Sequence, residues 1–124
     1  MTTSDVALEV IRGDRPVADM SRLGVSMSVT PDYFCFDAPL SLDSLAPSLD
    51  DVASGFLSHV SEPRLLREWA TVVLGAEFID LIALENDADG EAIIEGLWAV
   101  STGEPLSPSA MRAVAAVLSR RSHV

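Results

Sequence analysis

The chain has 124 residues, 48% of them hydrophobic, with a mean hydropathy of +0.30, a composition that excludes intrinsic disorder and fits one globular domain over 1–124. Its formal charge of -11 comes from 19 acids against eight arginines and no lysine, which excludes nucleic acid and anionic membrane as natural partners. Glu68, Glu77 and Asp80 interrupt the longest apolar run, so no stretch reaches the roughly 18 uncharged apolar residues that a bilayer span needs.

The charge is uneven along the chain. Residues 25–62 carry six acids and no base, and 63–105 carry nine acids and two arginines, whereas 106–124 carry three arginines and no acid. A negative middle favours a basic partner through long-range steering. The N-terminus lacks the basic-then-apolar pattern of a signal peptide, and one cysteine, Cys35, agrees with a reducing compartment, so the expected location is cytoplasmic. The all-arginine basic set and the Ala, Val and Leu richness suggest a GC-rich bacterial genome.

In chain order, Thr3 and Ser4 can cap a short helix carrying Val6, Ala7, Val10 and Ile11, which Gly13 ends. Pro16 opens a second with Val17, Met20 and Leu23, closed by Gly24. A DNA-docking helix-turn-helix is disfavoured by the acidic remainder. From Val25 the period changes to two, with Val25, Met27 and Val29 alternating, a Thr30-Pro31-Asp32 turn and an aromatic run Tyr33-Phe34-Cys35-Phe36. This predicts a small β-hairpin over about 25–36, whose edge could pair two copies of the chain. Residues 37–47 read as an irregular connection pinned by Leu40, Leu42 and Leu45.

Ser48 with Asp50 and Asp51 starts a helix whose inward face is Val52, Ala53, Phe56, Leu57 and Val60, and Gly55 lets another helix come close. Pro63 starts the next. Leu65, Leu66, Trp69, Val72, Val73 and Ala76, together with apolar residues as far as Leu84, leave that segment little polar surface, so 63–84 is expected to be the central helix, with Gly75 as its breaking point. A polar loop, Glu85 to Gly90, leads through Asp89 or Gly90 into a helix from about Glu91 to Val100, with Ile93, Ile94, Leu97 and Trp98 inward. Ser107-Pro108 starts the last helix, with Met111, Val114, Ala115 and Leu118 inward. The expected fold is therefore mainly α: five to six helices around a central apolar one, with one small β-hairpin, and disorder only at 1–3 and 122–124.

Catalytic constellations are scarce. His59 and His123 have no metal-ligand spacing, no phosphate or nucleophile glycine motif occurs, and Cys35 beside two phenylalanines reads as packing rather than as a nucleophile paired with His59. No cofactor is expected. Glu85, Asp87 and Asp89 followed by Gly90 resemble the first half of an EF-hand calcium loop, but the twelfth position, where a glutamate should close the loop, is Gly96. The competing reading is an acidic turn in which Asp89 caps the next helix and Gly90 adopts an unusual backbone angle.

Charge, size and the missing catalytic groups favour a non-enzymatic module that masks or chaperones a basic protein partner, an analogy of physical type to immunity proteins, antitoxins and secretion chaperones. The contact residues expected for it are Asp37, Asp43, Asp50, Asp51, Glu85, Asp87, Asp89, Glu91 and Glu95. The alternative is a small enzyme or ligand-binding domain with a pocket lined by Glu77, Asp80 and Trp98. A homo-oligomeric subunit joined through the hairpin edge is a third reading.

Overall fold

The computed structural model describes the backbone of residues 3–23, 26–30, 33–37, 45–75 and 79–122, and the side chains of these residues outside 3–4, 21–44 and 121–122. The protein is mainly helical. Five α-helices carry it: α1 (Thr3–Arg12), α2 (Leu49–His59), α3 (Pro63–Gly75), α4 (Ala88–Ser101) and α5 (Pro108–Ser122), with short 3-10 helices at Val17–Leu23 and Ile82–Asn86. No described helix is long and apolar enough to cross a membrane.

Local signals place most helix ends. Ser48 forms a capping box with Asp51, its Oγ accepting from Asp51 N at 3.2 Å while an Asp51 carboxylate oxygen accepts from Ser48 N at 3.1 Å. Pro63 and Pro108 occupy first helical positions, where a missing N–H costs nothing, and Ser107 Oγ accepts from Ala110 N at 3.4 Å. Gly13 ends α1 at φ 86°, in the left-handed region where glycine has no side chain to clash.

Helices α2, α3, α4 and α5 close a ring in which each packs on two others, while α1 lies on α2 and the first 3-10 helix bridges α1 and α3. The interior is filled by Ile11, Met20, Val52, Phe56, Trp69, Val72, Val73, Ile93, Leu97 and Val114, and no polar or charged side chain among the described residues is buried. Two glycines set helix approach. A Cβ at Gly55 would lie 1.9 Å from the Ile11 carbonyl oxygen and 2.5 Å from the Trp69 ring, and one at Gly96 would lie 2.4 Å from Ala110 Cβ.

The helix expected over 63–84 ends at Gly75, its expected breaking point, and among the described residues beyond it no second α-helix follows before Ala88. Helix α3 stops at Gly75, and beyond it Ile79 forms a parallel bridge with Leu45, with Asp80 N donating to the Leu45 carbonyl at 2.8 Å. Backbone groups engaged across the molecule cannot continue the helical ladder, so the segment ends in a 3-10 turn and not in a second α-helix. No single helix is central, since α3 is amphipathic, with Leu66, Trp69, Ala70, Val72 and Val73 buried and Leu65 40% exposed.

Three faces are rotated from expectation. Leu57 is 49% exposed, because Val52, Ala53, Gly55 and Phe56 already fill the inward side of α2. Helix α5 buries Ala110, Ala113, Val114 and Val117 and leaves Ala115 exposed, because the close contact at Gly96 needs small residues there. Met111 and Leu118 pack at its margin. Trp98 faces outward, with consequences given below.

Ser26–Thr30 (β1) and Tyr33–Asp37 (β2) run antiparallel, Ser26 opposite Asp37 and Thr30 opposite Tyr33. The side chains of both strands, and residues 31–32 between them, lie outside the described residues, and the hairpin expectation finds no support among the described ones. Leu40 and Leu42 lie outside the described residues, as do 1–2 and 123–124.

Candidate functional site

The acidic loop comes first, because the structure gives it an internal role. Asp87, not Asp89 or Gly90, is the N-cap of α4: its backbone is extended (φ -109°, ψ 137°), and its Oδ1 accepts from Asp89 N at 2.8 Å and Gly90 N at 3.4 Å. These two backbone donors, followed by the nearby Arg120, hold the Asp87 carboxyl below the usual carboxylate range. The other oxygen lies 3.6 Å from Arg120, whose second nitrogen meets Asp89 at 2.6 Å. Arginine from α5 thus clamps both aspartates to the start of α4. Gly90 sits within the helix rather than in a left-handed turn, and glycine is required there because a Cβ would fall 2.0 Å from the Leu84 carbonyl oxygen.

These contacts favour the acidic turn and bear on the calcium-loop reading. Two of its three candidate ligands are held by backbone donors and Arg120, and among the described residues no three acids, histidines or cysteines converge as a metal site. Asp51 is likewise engaged, by its capping box and by Arg12 at 3.2 Å.

The remaining acids are arranged differently. Glu91 and Glu95 are exposed on α4, and Trp98 follows at the next helical spacing on the same face. Trp98 is 56% exposed, which corrects its assignment to the core; Leu97 and Val100 take the inward positions beside it. The reason is geometric. Residues 79–82 are held towards Leu45 and do not close over α4, so a groove of about 430 Å³ opens between them, lined by Ile79, Asp80, Ile82, Glu85, Ile94 and Trp98. Ile82 is 73% exposed at its edge. Asp80 and Trp98 therefore do share a groove, with Glu85 added; Glu77 lies outside the described residues. Asp80 is not an idle acid, since its Oδ1 accepts from Ile82 N at 3.0 Å.

Of the other expected contact residues, Asp50 is half-buried in the first turn of α2, while the Asp37 side chain and the whole of Asp43 lie outside the described residues. The Cys35 side chain lies outside them too. His59 packs edge-on to Trp69 with ring centres 5.6 Å apart, its Nε2 buried without a hydrogen-bond partner. Burial lowers its pKa, so the ring is neutral in the folded protein at neutral pH.

A second groove, of about 790 Å³, was not anticipated from sequence. It lies between the start of α3 and the segment after α4, floored by Val60, Leu66, Val100 and Leu106, with Arg64 and Arg67 on its wall. The available signal was charge: these are the only two arginines among nine acids in 63–105. Compared with known proteins, the chain matches no family model, and no characterised protein and no solved structure was found similar to it.

Proposed function

We propose that the protein is a non-enzymatic, cytoplasmic binding module that masks or chaperones a basic protein partner, and that the partner docks on the Trp98 face. The observation that carries this reading is the exposure of Trp98 and Ile82, at 56% and 73%, within a field of carboxylates: Asp80 and Glu85 in the groove, Glu91 and Glu95 along α4. A large aromatic beside an aliphatic side chain supplies an apolar anchor, and surrounding acids select an arginine-rich neighbour. The contact set is thereby narrowed to Glu85, Glu91 and Glu95, with Asp80, Ile82 and Trp98 added. Asp51, Asp87 and Asp89 leave it, because their carboxylates hold helix starts and arginines of this chain.

Tryptophan emission tests the reading directly, since Trp69 is fully buried and Trp98 is not. Titration with an amphipathic arginine/leucine peptide should shift the emission to the blue, and the affinity should fall as salt rises. Glu95→Arg should weaken it. An emission spectrum unmoved by the peptide, or binding indifferent to salt, overturns the proposal.

The enzyme or small-ligand reading retains one favourable observation, the shared groove of Asp80 and Trp98. Pairing of two copies through the edge of a hairpin over 25–36 is the weaker alternative, and a mass measurement in solution decides it.

A further inference from the structure

We propose that the larger groove beside Arg67 is a binding site for an amphipathic monocarboxylate, a small molecule with a single carboxylate and an aliphatic tail. It shares no lining residue with the Trp98 groove, so the inference does not depend on the docking surface above. A volume of about 790 Å³ lies within the range of about 300–1,000 Å³ typical of small-molecule sites, and its walls are largely apolar with a few polar groups. Leu66 and Val100 are nearly fully buried at its floor, and Leu106 packs against the core beside them.

The charge of the ligand follows from the arginines. Arg64 is paired with Glu68 at 3.3 Å. Arg67 is half-buried and donates through Nε to the Ser101 carbonyl at 3.3 Å, and among the described residues it has no carboxylate within ion-pair distance. A guanidinium has five N–H donors, so one bond to Ser101 leaves others for a ligand. In a chain with 19 acids and eight arginines, a half-buried arginine with no acid partner among the described residues is the unusual feature. It complements an anion of planar, two-oxygen geometry. The start of α3 at Pro63 turns the positive end of that helix dipole to the same groove. Glu68, whose charge is met by Arg64, and Glu104 also line the groove, and these two acids disfavour a second negative charge on the ligand.

Calorimetric titration with decanoate, and with decanol as its uncharged counterpart, tests the site. Decanoate should bind one-to-one with a dissociation constant below about 1 mM, and decanol at least about tenfold more weakly, the difference expected for one charge-assisted contact. Arg67→Gln should remove the preference for decanoate while retaining decanol. Should that variant fail to fold, Leu106→Glu, which sets a negative charge in the apolar wall, should abolish decanoate binding with the fold verified by circular dichroism. No heat with decanoate, equal affinity for the two probes, or decanoate binding unchanged in the variants overturns the proposal.

Discussion

The Trp69 indole reaches across the width of α2 and donates from Nε1 to the main-chain carbonyl of Ile11 at 3.1 Å, with both residues fully buried. The path exists because residue 55 between them is glycine. A carbonyl in the last turn of α1, one of those left without an intrahelical partner, is thereby satisfied by a side chain 58 positions away.

Gly55→Ala should destabilise the protein by about 2 kcal/mol or more, because the added Cβ meets a main-chain oxygen that cannot yield. Trp69→Phe keeps most of the packing but leaves the Ile11 carbonyl unsatisfied, a loss of about 1–3 kcal/mol. Urea denaturation of both variants gives the comparison, and a Gly55→Ala protein as stable as the parent contradicts the close approach.

Adjacent residues of α4 should respond oppositely. Leu97→Ala opens a cavity in the core and should lose about 2–5 kcal/mol. Trp98→Ala should change stability by no more than about 0.5 kcal/mol, although it removes the larger side chain, while its loss should abolish the peptide-induced emission shift. Parallel thermal melts check the pair.

At the α4–α5 crossing, Gly96→Ala should lose about 1–3 kcal/mol by contact with Ala110, and the double variant Gly96→Ala/Ala110→Gly should recover part of it. Glycine within α5 itself costs about 1 kcal/mol, so recovery is incomplete. A double-mutant cycle with no coupling would place the two helices further apart than the structure does.

Stability should fall on mild acidification. His59 has its folded-state pKa lowered by burial from an ordinary value of 6.5, so the unfolded chain takes up the proton first. Its contribution is complete above pH 6.5 and is lost as pH falls through the lower folded value. Asp87, held below its ordinary 3.8 mainly by the Asp89 and Gly90 N–H groups, adds a separate loss below that pH. Denaturation midpoints measured across this range for the parent and for His59→Phe should show the upper slope only in the parent.

Calcium at millimolar concentration should leave the melting temperature unchanged, because Asp87 and Asp89 are already bonded to the α4 N-terminus and to Arg120. Arg120→Ala should lower that temperature by releasing the clamp. A calcium-dependent rise in the parent contradicts this assignment.

Helix ends were readable where the signal is local. Ser48 with Asp51, Pro63, Ser107-Pro108 and Gly13 act through bonds or angles within four residues, so the amino-acid order is enough. Choice among several apolar residues was not readable. Ile94, Leu97 and Trp98 all fit an inward stripe, and which one stays at the edge depends on where residues 79–82 lie, which in turn depends on Leu45. Cap choice failed similarly: Asp87 and Asp89 are equivalent by composition, and the 3-10 turn that ends at Asn86 selects the first.

The sequence by itself determined a mainly helical chain with an acidic middle, because helix periodicity, caps and net charge are properties of short stretches and of sums. Only the tertiary structure decided which acids are engaged within the molecule, that the apolar run beyond Gly75 bridges to Leu45 and forms a 3-10 turn in place of a second α-helix, and that Trp98 rather than Trp69 meets water. Those outcomes depend on pairings such as Arg120 with Asp89 and Asp80 with Leu45, 31 and 35 positions apart, which no local pattern encodes.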